Sequence, residues 1–216
     1  MTAGSPENLF AYTPEQLTDL PPGAVALALG CGNPVVAASP KAGESVVDLG
    51  CGGGLDSLLA VKCVGNGGSV VGVDRLPPML RRARFCANEA WAQRALFVCA
   101  DLEALPFAAG FFDVAISNNA FNLLPDRLRA LREAFRVLRA GGRLAVADTV
   151  TTVAAVLPSG RPEDAADAWA GFPTLGEYES AAPEAGFTDL SFTLGPVMPR
   201  SGKVKARPLM LTGSKP

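Results

Sequence analysis

Apolar and polar residues come in blocks along this chain, and the blocks alternate between two periods. Short valine-rich runs at 46–49 and 69–73 predict buried strands, as do the apolar stretches 95–99, 112–117 and 143–148. Between them lie longer segments with apolar positions at helical spacing: 54–64, 77–93 (with Met79, Ala83 and Cys86-Ala87 on one face) and 125–138. Gly65-Asn66-Gly67-Gly68 and Gly141-Gly142 punctuate these blocks as turns. Upstream, Thr13-Pro14-Glu15-Gln16 predicts a capped helix start, Pro21-Pro22-Gly23 breaks it, and Leu29-Gly30-Cys31-Gly32-Asn33-Pro34 predicts a turn. After Asp148 the rhythm weakens over 151–173. It returns as a helix over 177–185, closed by Gly186, and two strand candidates at 188–194 and 207–212 that can finish the sheet as a hairpin.

Strands alternating with helices across short loops predict an α/β fold, a doubly wound and mostly parallel Rossmann-like sheet with helices on both faces. A length of 216 residues points to one domain. Its division is expected as an N-terminal segment, 1–44, and a ligand-binding domain, 45–216, with a substrate-side insertion at about 151–176. A hydrophobic fraction of 49% is enough for a sizeable core.

Charge narrows the partners. With 19 basic and 21 acidic side chains the chain lacks the basic excess of a nucleic-acid binder, so a small-molecule partner is expected and nucleic acid is not. There is no histidine, which removes the usual general base near neutral pH and the commonest metal ligand. Five cysteines, an odd and widely spaced set without a CxxC pair, argue against a disulfide framework or a zinc site, so no resident metal is expected. A reducing, cytoplasmic location is expected, with no membrane-spanning run. Oligomeric state is not readable.

The most informative stretch is 46–74. An apolar strand runs into Asp48-Leu49-Gly50-Cys51-Gly52-Gly53-Gly54, a helix follows, and a second strand ends on Asp74. Glycines let backbone N–H groups and a helix N-terminus come close to a polar ligand at the carboxyl ends of the strands. Asp74 follows Gly50 at roughly the 20-residue spacing of an acid that accepts from ribose hydroxyls. Plain tight turns also use glycine, but the coupled acid favours nucleoside binding, and a dehydrogenase would share this half of the pattern.

Three later segments separate the two. They are Cys99-Ala100-Asp101-Leu102-Glu103-Ala104-Leu105-Pro106-Phe107, Phe111-Phe112-Asp113-Val114-Ala115-Ile116-Ser117-Asn118, and the helix from Arg132 that meets Gly141-Gly142 and a strand. In this order they resemble the class I S-adenosylmethionine-dependent methyltransferases over about residues 45–150. The resemblance implies a seven-stranded sheet with an antiparallel last strand and S-adenosyl-L-methionine as cofactor. It implies that Asp48 and the Gly50, Cys51, Gly52 backbone cradle the methionyl end, and that Asp74, with Arg75 beside it, binds the ribose. Met79 would pack near the adenine, Asp101 would accept from its amino group, Leu102 N–H would meet a ring nitrogen, and Asn118 would face the donor's ammonium group. Asp113, at the far end of its strand, is read as structural.

A narrower resemblance lies outside that core. Leu29-Gly30-Cys31-Gly32-Asn33-Pro34, Ser117-Asn118-Asn119-Ala120-Phe121-Asn122-Leu123 and Ala168-Trp169-Ala170-Gly171 resemble the arsenite methyltransferase family. In that family each place supplies a cysteine, and the thiolates hold trivalent arsenic, a soft acceptor. Here only Cys31 is kept; Asn119 and Ala168 stand at the other two places, and no cysteine precedes Cys31. Cys63 and Cys86 are read as helix core residues, and Cys99 as packing beside the adenine.

Three readings stay open. The acceptor is a trivalent arsenical, with Cys31 as its candidate ligand and exogenous thiols completing the set; or it is a small organic nucleophile oriented by Asn119 and Asn122 and walled by Trp169 and Phe172; or the chain binds the donor without turnover, as a regulator.

Overall fold

The computed structural model describes residues 9–26, 30–90, 92, 94–151, 171–198 and 205–216. Seven strands form one sheet: β1 (Ser45–Leu49), β2 (Ser69–Asp74), β3 (Ala95–Cys99), β4 (Phe112–Asn118), β5 (Leu138–Thr151), β6 (Thr188–Leu194) and β7 (Ala206–Ser214). Their spatial order is β3-β2-β1-β4-β5-β7-β6, with β7 antiparallel to both its neighbours. The order reverses between β1 and β4, the switch point at which open α/β sheets take their ligands. The expected doubly wound sheet with its antiparallel last strand is the one observed.

Helices cover both faces. Short helices α1 (Pro14–Leu17), α2 (Pro22–Val25) and α3 (Pro34–Ala38) precede the sheet, followed by α4 (Leu55–Val64), α5 (Pro77–Glu89), α6 (Arg127–Val137) and α7 (Leu175–Glu184). One apolar cluster joins α2 to α5 to the sheet through residues such as Val46, Leu58, Leu80 and Ile116. The other packs α6 and α7 against the opposite face through Val47, Leu131, Leu144 and Tyr178. This explains the valine-rich runs: central parallel strands are buried on both faces, so their sequences stay apolar instead of alternating.

Local chemistry accounts for the element ends. Thr13 and Gln16 form the predicted capping box on α1, and Thr174 with Glu177 forms another on α7. Asn33 caps α3, so the predicted turn at 29–34 leads into a short helix that its apolar content alone did not distinguish. Asp113 is structural as read: it accepts from Ser45 N (2.7 Å) and Ser45 Oγ (2.6 Å) and pairs with Arg139. Although its partial burial pushes the other way, these bonds hold its carboxyl down to about 2.

The structure departs from expectation at several points, among them α2, which begins at Pro22 inside the predicted break. The helix predicted over 77–93 ends at Glu89, and its buried face is Leu80, Ala83, Cys86 and Ala87, with Met79 turned away from the core. Gly141-Gly142 does not separate helix from strand: α6 passes directly into β5, and the two glycines sit in an irregularity where pairing with β4 jumps from Phe112–Leu138 to Val114–Arg143. Gly141 takes φ 73°, and both glycines bond to the chain end through Lys215, as Gly141 N to Lys215 O and Lys215 N to Gly142 O, each at 2.8 Å. Finally, Cys63 is exposed and not a core residue, whereas Cys86 is buried as expected. Residues 152–170, with Ala168 and Trp169, lie outside the described residues.

Candidate donor and acceptor site

The turn after β1 is built by backbone bonds. Gly50 N and Cys51 N both donate to Val73 O, at 2.8 and 2.9 Å, and Gly54 N closes the turn on Cys51 O at 2.8 Å. Gly50 lies at φ 80°, and a Cβ there would come 2.3 Å from the Ala120 Cβ, so the position takes glycine alone. Gly52, at φ 50°, has nothing within 4 Å of where a Cβ would stand. On β2, Gly72 makes room for Cys51: a Cβ there would lie 2.9 Å from its sulfur. Burial, with Asp48 and Asp74 adding to it, pushes the Cys51 thiol well up, so it packs as a neutral group.

A cavity of about 260 Å³ opens over this turn, near the lower end of the ~300–1,000 Å³ of small-molecule sites. Its wall brings together eleven of the predicted residues: Asp48, Gly50, Cys51, Gly52, Asp74, Arg75, Met79, Asp101, Leu102 and, at the exit of β4, Asn118 and Asn119. Sheet order lays them out in line, with Asp101 and Leu102 beyond β3, Asp74 and Arg75 at β2, the glycine turn at β1, and Asn118 and Asn119 at β4. Asp74 is oriented by two backbone donors, Gly52 N on Oδ2 and Leu76 N on Oδ1, both at 2.9 Å. Asp101 Oδ1 accepts from Glu103 N at 2.9 Å. Asp48 is buried and accepts from Ser57 Oγ at 2.5 Å; burial first, and the charge of Asp56 second, raise its carboxyl above the usual range.

Cys99 does not pack in this wall. It is exposed, and its thiol points to Arg75 O at 3.7 Å, because it is the last residue of the edge strand β3.

Two polar wall residues escaped the sequence reading: Tyr12 and Asp56. Tyr12 Oη donates to Asp56 Oδ1 at 2.8 Å, and Asn118 Nδ2 reaches Tyr12 Oη at 2.8 Å, Gly32 O at 2.8 Å and Asp56 Oδ2 at 3.0 Å. Asn118 Oδ1 accepts from Cys31 N at 3.0 Å. Asn118 is therefore the hub that seats the N-terminal segment on the sheet. Burial raises Asp56, against the bonds from Asn118 and Tyr12 that lower it, and burial followed by the Asp56 charge pushes the Tyr12 hydroxyl far up. The available signal was position: Asp56 lies in the first turn of the helix that follows the glycine turn.

Beyond Asn118 the wall passes to a polar cluster on β4 and β5. Asn119 adopts a left-handed φ of 56°, and its Oδ1 accepts from Asn122 Nδ2 (2.7 Å) and Thr149 Oγ1 (3.1 Å). Asp148 is fully buried; its Oδ2 accepts from Asn122 N at 2.9 Å and from Tyr178 Oη. Asp148 Oδ1 and Asn122 Oδ1 are buried without a protein partner. Burial pushes Asp148 up to about 7, against the hydrogen bonds from Tyr178 and Asn122 and the more distant Arg127. Cys31 belongs with this cluster and is not among the residues lining the cavity; burial, and then Asp148, push its thiol up to about 12 although the Thr149 hydroxyl pulls it down. Phe172 is half-buried and outside the cavity wall, with its carbonyl accepting from Thr151 Oγ1 at 3.2 Å.

The sheet order, the glycine turn and the line of acids define a class I methyltransferase domain. The methyltransferase-domain family matches residues 40–175, and the chain belongs to it. Within that family it is similar to the arsenite methyltransferase of Halobacterium salinarum, 36% identical over 189 residues that make up 86% of this chain and 48% of that protein. An arsenic(III) S-adenosylmethionine methyltransferase from Chlamydomonas reinhardtii has the same fold, with TM-score 0.80 and 30% identity over 95% of this chain and 75% of that one. A demethylmenaquinone methyltransferase from Thermus thermophilus is 43% identical over 106 residues, 49% of this chain and 47% of that protein. The chain spans about half the length of the curated relatives it matches. No helix among the described residues is long and apolar enough to cross a membrane.

S-adenosylmethionine is the donor of this class, and the wall fits it. Open space at Gly52 admits a close backbone approach, Asp74 and Asp101 offer acceptors for hydroxyl and amino groups, and the buried carboxylates of Asp48 and Asp56 suit a ligand that carries positive charge.

Proposed function

We propose that the chain is an S-adenosylmethionine-dependent methyltransferase whose acceptor is a trivalent arsenical. When bound, the donor supplies an electrophilic methyl group on a sulfonium, open to in-line attack by a nucleophile. Asp74 and Arg75 would hold the ribose, Asp101, Leu102 and Met79 the adenine, and Asp48 with the Gly50, Cys51 and Gly52 backbone the methionyl end. Cys31 and Asn119 would position the acceptor. The observation that supports this reading is the hydrogen bond from Cys31 N to Asn118 Oδ1, which holds the turn carrying the one retained family cysteine against a residue of the cavity wall. An arsenic lone pair needs no general base, which suits a chain without histidine. Residues 1–44 would serve as a lid and 151–176 as an insertion on the acceptor side, both over the domain 45–216.

Binding an arsenical means displacing a proton from Cys31, whose thiol is held up to about 12. That observation favours delivery of arsenic already bound to exogenous thiols, by thiol exchange. It also supports a second reading, a small organic acceptor oriented by Asn119 and Asn122, for which a neutral Cys31 is wall and not ligand.

Incubating the purified chain with S-adenosylmethionine and, separately, arsenite with glutathione, methylarsenite, small phenols and quinols tests both. S-adenosylhomocysteine formed only with the arsenicals, and lost in Cys31→Ser, is the expected result. Turnover only with the organic compounds overturns the arsenical reading in favour of the second. Donor binding without any product would mark a regulatory protein.

A further inference from the structure

We infer that Asp56 is the receptor for the donor's α-ammonium group, and that Tyr12 is the positioning residue that latches the N-terminal segment over it. This rests on the donor site proposed above and goes beyond it, since neither residue belongs to the glycine turn or the acids that follow it.

Three observations carry it. The first is place. The cavity runs along the sheet from Asp101, beyond β3, to Asn118 on β4. A nucleoside gripped at the β3 and β2 end leaves the amino-acid part of the donor at the β1 and β4 end, where Asp56 meets Asn118 Nδ2 at 3.0 Å.

The second is charge. Asp56 is 7% exposed and Asp48 1% exposed, and among the described residues neither has an ion-pair partner. The basic side chain in the wall, Arg75, stands at the β2 end. Buried carboxylates of one sign are costly unless a counter-charge joins them. An ammonium group supplies that charge.

The third is hydrogen-bonding capacity. The Asn118 side chain, which the family resemblance assigns to the ammonium, is committed elsewhere: its two amide hydrogens are shared among Tyr12 Oη, Gly32 O and Asp56 Oδ2, and its oxygen, which accepts from Cys31 N, keeps only one neutral lone pair. An ammonium has three donors and needs acceptors. Each Asp56 oxygen takes one bond from the protein, from Tyr12 on Oδ1 and Asn118 on Oδ2, and keeps a lone pair for a ligand. Those two bonds also fix the carboxylate plane. Because Tyr12 and the Cys31 turn are held by the same Asn118, occupancy of Asp56 and seating of the acceptor segment are mechanically joined.

The test is calorimetric binding of S-adenosylmethionine, S-adenosylhomocysteine and 5′-methylthioadenosine to the full chain and its variants. The first two ligands carry the ammonium and the third does not. Asp56→Asn, which keeps the shape and removes the charge, is expected to weaken the two amino-acid ligands about tenfold or more, as for loss of a charged hydrogen-bond partner, while methylthioadenosine stays within about twofold. Tyr12→Phe is expected to show the same selectivity with a smaller factor, about threefold or more, and decides the matter if Asp56→Asn does not fold. A smaller loss in either variant, or one shared by methylthioadenosine, overturns the inference. Asp74→Ala separates the two levels: it should weaken all three ligands, and if it spares methylthioadenosine the nucleoside site itself is misplaced.

Discussion

Asp148 shows at the scale of one residue how burial and function pull apart. It sits fully enclosed with one oxygen unpartnered and a carboxyl pushed up to about 7. Unfolded, it ionises near pH 4. Between those values the folded chain holds a proton that the unfolded chain has lost, so this group's contribution favours the fold below about pH 4 and is lost as pH rises through about 7. Asp148→Asn removes the charge and keeps an oxygen for Tyr178. Thermal unfolding at pH 5 and pH 8 should show the variant gaining on the native chain at the higher pH, by on the order of 2 kcal/mol; an equal difference at both pH values would contradict the raised carboxyl. Gly50 is the second test. A Cβ there meets Ala120 at 2.3 Å and a φ of 80°, so Gly50→Ala should cost about 1–3 kcal/mol in urea unfolding and weaken donor binding as well. Gly50 was legible from sequence because a glycine run after a strand has few other uses. Asp148 was not, because nothing in Ala147-Asp148-Thr149 says that Tyr178 and Asn122 will close over it.

Elements follow their local chemistry where it is strong. The capping box on α7 was open to reading from Thr174 and Glu177, yet the apolar pattern alone set the helix start at Glu177, and the structure starts it at Leu175. Thr174 Oγ1 also contacts Glu177, which in turn pairs with Arg127 of α6, so the cap ties two helices. Thr174→Ala should therefore lower stability by about 1 kcal/mol, read as a lower urea midpoint with an unchanged slope. β5 marks where local reading fails. Gly141-Gly142 has the look of a turn, but pairing with the chain end at Lys215 draws both glycines into the strand. A contact between residues so far apart in sequence leaves no trace in a window of ten residues. The two ends of α5 divide the same way: Pro77 marks its start, whereas its stop at Glu89 has no glycine or proline to announce it.

For the molecule as a whole, the cavity proposed for the donor draws on β1, β2, β4, α4 and the N-terminal segment at once, so a ligand bound there and the fold would stabilise one another. Donor at about a hundred times its dissociation constant should raise stability by about 2.7 kcal/mol, seen as a rise in melting temperature. Asp74→Ala should remove most of that rise at the same donor concentration; a full shift in the variant would take Asp74 out of the site.

The order of the strands and of the helices between them, the position of the switch point, the glycine turn and the acids after β2 and β3 were determined by the sequence alone. Each rests on a local signal: a buried parallel strand must be continuously apolar, a backbone that approaches a ligand must be glycine, and an acid that reaches the ligand must follow a strand's carboxyl end. Only the tertiary structure decided that Asn118 turns inward as a hub, that Tyr12 and Asp56 close the β1–β4 end of the cavity, and that Cys31 joins Asp148 and Thr149 instead of the cavity wall. Those relations join residues more than a hundred positions apart, as Tyr12 and Asn118 are at 106, and they arise from burial and pairing that no local pattern encodes.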